Sequence, residues 1–82
     1  MKLNEAIGEA IRAIRTEKQL NLRDVSERSY VSLGHLSGVE MGKKKPSTDT
    51  LEAIAKAFEL STIEFMGEIY DYMKENYEQE DR

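Results

Sequence analysis

Along this chain apolar residues recur at intervals of three and four, and no stretch shows the period-two alternation of a strand. That spacing predicts helices throughout. A first helix is expected from about Glu5 to Lys18, with Asn4 as N-cap and Leu3 before it as a hydrophobic staple. Ile7, Ile11 and Ile14, with Ala10 and Ala13 beside them, form its buried face, and Arg12 and Arg15 lie off it. A second helix starts after Asn21, whose side chain can accept from the free N–H of Asp24, and Leu22, Val25 and small Ser26 face inward. Tyr30-Val31 forms a turn. Ser32 then caps a third helix running to about Met41, with Leu36 and Val39 inward and Leu33, Gly34, Ser37 and Gly38 on the other side.

Gly42 stands where a left-handed helix end is favoured, and Lys43, Lys44, Lys45 and the single proline, Pro46, follow it. Ser47 or Thr48 caps a fourth helix with Leu51, Ile54, Ala55 and Phe58 spaced for burial, and Glu52 and Lys56 four apart on its surface. Ser61-Thr-Ile-Glu64 is a capping box that opens a longer helix to about Tyr77. Ile63, Met66, Tyr70, Met73 and Tyr77 form one apolar row on it, and Phe65, Ile69 and Tyr72 run alongside. At 100° per residue these positions cover about half the circumference, more than one helix needs to pack on a small domain. The surplus suits a second copy of the same helix. Its acidic side, Glu64, Glu68, Asp71 and Glu75, then points outward, and Glu78 to Asp81 is expected to fray. The expected fold is all-α with five helices.

Composition narrows this picture. Eighty-two residues make one small domain, and with 39% hydrophobic residues and no cysteine neither a disulfide framework nor a thiolate metal site is available. No apolar run approaches the ~20 residues of a membrane helix and no signal-peptide pattern opens the chain, so a cytoplasmic protein with no membrane partner is expected. The net charge of −4 argues at first against a polyanionic partner. The average hides a division: residues 1–48 carry nine Lys/Arg against six Asp/Glu, a surplus of +3, while residues 49–82 carry three against ten, or −7. A pair of short helices with a triple-lysine exit, Asn21 to Pro46, is therefore set to meet regularly spaced phosphates.

The order IGEAIRAIR, NLRDVSE, VSLGHLSGVEMGKKKPS and LEAIAKAFELS, over residues 6–61, resembles the Cro/CI-type (XRE-like) helix-turn-helix transcriptional regulators. Within that family, LRDVS followed by VSLGHLS and GKKKPS is similar to the stand-alone actinobacterial regulators of Clp protease genes. The resemblance implies a five-helix, lambda repressor-like bundle with its third helix in the DNA major groove. Residues 1–60 then form the DNA-binding domain and 61–77 a dimerisation helix, with 78–82 an acidic tail. It implies DNA contacts by Asn21, Leu22 and Arg23 at the start of helix 2, by Ser32, Leu33, Gly34, His35, Ser37 and Gly38 on helix 3, and by Lys43, Lys44 and Lys45 in the loop. It also implies that Arg15 and Glu40 pair to hold helix 3 in place. A dimer contact through Ile63, Met66, Ile69, Tyr70, Met73 and Tyr77 fits a (pseudo)palindromic operator.

Two departures bear on mechanism. Base reading works best with bidentate Arg to guanine or Asn/Gln to adenine, and helix 3 holds none of these. Specificity is then left to single hydrogen bonds, DNA shape and half-site spacing. Tyr30 stands where the family commonly has glycine, and a positive φ there strains a tyrosine. His35, the only histidine, lacks the companion ligands of a metal site. Ser32, His35 and Glu40 lie on one short helix and do not make a catalytic triad, so neither an enzyme nor a cofactor is expected. The alternative reading is a protein-interaction module, an antirepressor or adaptor, on the same scaffold. The negative charge and the bare recognition helix favour it.

Overall fold

The computed structural model describes residues 2–77. The expected frayed segment Glu78 to Asp81 lies outside them. Five helices follow in order, α1 (Leu3–Glu17), α2 (Leu22–Ser29), α3 (Leu33–Glu40), α4 (Thr48–Ala57) and α5 (Thr62–Tyr77), and the described residues contain no strand. The all-α expectation is borne out. α1 packs on α3 and α5, α2 on α3 and α4, and α4 on α5, whereas the backbones of α3 and α5 are not neighbours.

Periodicity placed the core well. Ile11, Ile14, Val25, Leu36, Val39, Ile54, Phe58, Phe65 and Ile69 are buried in one cluster, with Ala6, Ala10, Ala55 and Ala57 letting the helices approach. Phe58 and Phe65 meet edge to face, ring centroids 5.7 Å apart at 72°, the arrangement the ring quadrupoles favour. Through Phe65 and Ile69, α5 completes this core rather than hanging from it.

The helix ends show where local signals held and where they were overruled. Asn21, Ser32 and Ser47 each accept a backbone N–H three residues on, at 2.7, 3.2 and 3.1 Å. Ser61 and Glu64 form the expected reciprocal box, Ser61 N donating to Glu64 Oε1 at 2.8 Å and Glu64 N to Ser61 Oγ at 3.1 Å. At α1 the expectation was wrong. The N-cap is Lys2, without a side-chain bond, and Asn4 and Leu3 lie inside the first turn. The helical bonding already begins there, Ala6 N donating to Lys2 O at 3.0 Å, and Glu5 in the same turn lies against Gly42, where an added Cβ would sit 3.0 Å from Glu5 Cα.

Four helices end on left-handed residues: Gln19 (φ 61°), Tyr30 (60°), Gly42 (74°) and Glu59 (61°). Only one of them is glycine. Glu52 and Lys56 do not pair, since Arg15–Glu40 is the ion pair found within 4.0 Å among the described residues.

Candidate nucleic-acid interface

The interface is built from the α2–turn–α3 unit and the loop after it. Asn21 spends its Oδ1 on Asp24 N (2.7 Å) and its backbone N–H on Asp24 Oδ2 (2.9 Å), which leaves its side-chain NH2 to reach outward. Arg23 is exposed beside it, but Leu22 turns inward and packs on the core. Leu22 is partly buried, its apolar side chain closing the edge of the core rather than standing free as Arg23 does. The turn is tied by Ser26 Oγ donating to Val31 O (2.7 Å) and Val31 N donating to Ser29 Oγ (3.1 Å). Tyr30, at its corner, is 95% exposed.

In α3 the buried residues Leu36 and Val39 fix the helix so that Ser32, Leu33 and Gly34 stand exposed at its first turn, with His35 and Ser37 half-buried. Behind it lies a brace. Arg15 Nε donates to Glu40 Oε2 at 2.7 Å, Nη2 to Glu40 Oε1 at 3.0 Å, and Nη1 to Leu20 O at 2.9 Å. This bidentate bond to the carboxylate raises the Arg15 guanidinium above its already high range. One side chain thus joins α1, the α1–α2 turn and the end of α3.

Lys43, Lys44 and Lys45 are exposed after Gly42. Lys45 lines an open hollow together with Lys2, Leu3, Asn4, Glu5 and Gly42, so the start of α1 adds Lys2 as a fourth lysine to the basic edge. Gly38 is not on the outer face as expected. It is buried, and the stem of Lys44 lies across it.

Two further positions differ from sequence expectation. Ile69 is 6% exposed and belongs to the core, so it cannot serve a dimer contact, and Met73 packs mainly on that same core. Ile63 (85%), Met66 (38%) and Tyr70 (61%) do stand open to solvent, and Tyr77 is half-buried. Gly8 was missed altogether. A Cβ there would overlap the Val39 carbonyl oxygen and lie 2.8 Å from that of Glu40, so α1 and the end of α3 meet backbone to backbone. The signal was present, since a glycine inside an otherwise unbroken amphipathic helix calls for a packing reason.

Comparison with known proteins agrees with this geometry. A family model described as helix-turn-helix matches residues 11–65, from the middle of α1 into α5. The chain belongs to this helix-turn-helix family. Its members are DNA-binding transcriptional regulators rather than enzymes. This helix-turn-helix chain is 41% identical over 58 residues to the transcriptional regulator ClgR of Mycobacterium tuberculosis (strain ATCC 25618 / H37Rv), covering 71% of its own length and 52% of that protein. It thus spans about half the length of that relative. It superposes on the crystal structure of the clp gene regulator ClgR from Corynebacterium glutamicum with a TM-score of 0.82 and 36% identity, over 99% of this chain and 86% of that one. The restriction-modification controller protein C.Esp1396I, solved as a tetramer in complex with its natural 35 base-pair operator, matches with a TM-score of 0.82 and 25% identity, over 89% and 96% of the two chains. The resemblance to Cro/CI-type regulators is borne out. No helix of the described residues is long and apolar enough to cross a membrane.

Proposed function

We propose that this helix-turn-helix chain binds a (pseudo)palindromic operator as a homodimer, α3 of each copy lying in the major groove. One observation carries this reading: the first turn of α3 is bare to solvent while its far end is clamped by Arg15–Glu40 and edged by the lysine loop. Residues 2–60 supply docking and α5 supplies pairing as well as part of the core. The NH2 of Asn21, Arg23, Lys43 and Lys45 fit phosphates. Ser32, Leu33, His35 and Ser37 face base edges, with the methyls of Leu33 (41% exposed) suited to a thymine methyl. At Gly34 a Cβ would meet nothing within 4 Å, so the fold does not require a glycine there and close approach of DNA explains it.

Pairing is supported by Ile63, Met66 and Tyr70, an exposed apolar row that no other part of the described chain covers. Two-fold pairing suits half-sites about one helical turn apart. The test is a mobility-shift and footprinting series on duplex DNA from around the gene itself, with light scattering to give the mass. We expect two protected half-sites, salt-sensitive binding and twice the monomer mass. A folded protein that shows only sequence-independent DNA affinity while capturing a stable protein partner instead supports the interaction-module reading.

A further inference from the structure

The lysine loop and α3 touch at Gly38, and the contact makes the three lysines unequal. A Cβ built on Gly38 would lie 2.6 Å from Lys44 Cγ, 3.2 Å from its Cδ and 3.4 Å from its Cβ. The methylenes of Lys44 therefore occupy the place of the side chain that residue 38 lacks. Four residues earlier on the same row of the helix, one turn or about 5.4 Å away, Gly34 has open space above it. Gly34 is thus bare, while the Lys44 stem covers Gly38.

The loop backbone fixes this arrangement. Lys43 N and Lys44 N both donate to Gly38 O, at 2.9 and 3.1 Å, and Gly42 N donates to Val39 O at 3.0 Å. Gly42 takes φ 74°, and a Cβ there would press within 3.0 Å of Glu5. The root of Lys44 is thus bound to α3 itself. Lys45, by contrast, faces the hollow at the start of α1.

Between Leu33 and Glu40, α3 has no Arg, Lys, Asn or Gln of its own. From this geometry we infer that Lys44 is a base-reading residue, its stem substituting for a side chain at position 38. Its ammonium donates to acceptors exposed in the major groove, the O6 and N7 of guanine, which are the acceptors a lysine recognises best there. A stem already held against α3 has less rotamer freedom to lose on binding than a free lysine. Lys43 and Lys45 remain phosphate contacts that position the protein without reading sequence. The inference rests on the placement of α3 in the major groove proposed above.

The experiment selects bound sequences from a randomised duplex pool, using wild type and the variants Lys44→Met, Lys43→Met and Lys45→Met. Methionine keeps an apolar stem over Gly38 and removes the amine. We expect the Lys44→Met pool to lose a guanine preference at one position per half-site by about tenfold or more. The Lys43→Met and Lys45→Met pools keep the wild-type pattern with weaker binding throughout. Gly38→Ala, which displaces the stem, flattens the same position as Lys44→Met. An unchanged sequence pattern for Lys44→Met overturns the inference and leaves operator binding standing. A wild-type pool that enriches no sequence overturns both together.

Discussion

At Gly8, Tyr30 and Arg15 a single atom or torsion decides how well the site is held. Gly8 lets α1 touch the last carbonyls of α3, so Gly8→Ala forces the two backbones apart. Overpacking against backbone that cannot yield costs about 2–3 kcal/mol, read as a lower urea midpoint with an unchanged slope. Tyr30 works the other way. Its left-handed backbone (φ 60°) is disfavoured for any side chain by about 1–2 kcal/mol, and at 95% exposure its ring adds no packing. Glycine brings about 0.5–1 kcal/mol of added chain entropy against that gain, so Tyr30→Gly stabilises slightly; a lower midpoint refutes the strain. Arg15 and Glu40 are only 14% and 7% exposed, and each guanidinium nitrogen has a partner. Arg15→Lys keeps the charge but loses the planar fork. We expect about 2 kcal/mol lost, with weaker DNA binding in proportion as the end of α3 loosens.

Among the elements, α5 has one face in the core and one open face, which the proposed reading assigns to pairing. Phe65 and Ile69 belong to the core, so truncating either to alanine should cost about 2–5 kcal/mol. Ile63 and Tyr70 lie outside it, so Ile63→Glu or Tyr70→Glu should leave the melting of the monomer nearly unchanged while halving the mass seen by light scattering. A dimer that survives both substitutions pairs elsewhere. The start of α5 also carries a pH response. Hydrogen bonding from the Ser61 backbone N–H, and then from the Ser61 side chain, holds the Glu64 carboxyl below its ordinary 4.5. A lowered carboxyl stabilises the fold above its ordinary value, and that contribution is lost as pH falls through the folded value. Glu64→Gln should therefore melt with less sensitivity to acid below about pH 4.5 than wild type, as followed by circular dichroism. Near pH 7 the two should differ only by the loss of the charged cap.

For the whole molecule, the net charge of −4 becomes compatible with DNA once the helices are placed. The carboxylates Glu17, Glu68, Asp71 and Glu75 gather in a hollow between α1 and α5, and the backbone of α5 is not a neighbour of α3. A polyanion docking on α3 has the exposed Lys43, Lys44 and Lys45 beside it. Lys43→Met together with Lys45→Met removes two phosphate contacts from each protomer and should lower the slope of log affinity against log salt by about four for the dimer, and an unchanged slope removes both lysines from the phosphate contact. Much of this was legible in the chain: the helical periods, the caps at Asn21, Ser32, Ser47 and Ser61, the stop at Gly42 and the family's pattern of motifs. The periods, caps and stop are each written within three or four residues, the reach of one helical turn, and the motif pattern is an order along the chain, so sequence alone determines them. The contact of Glu5 with Gly42, the burial of Leu22 and Ile69, the backbone contact at Gly8 and the seat of Lys44 on Gly38 depend on which helices meet. They join residues between six and 37 positions apart in the chain or turn on how one face is shared among several helices. Only the tertiary structure decides them, because a residue's face is fixed locally but what lies against that face is not.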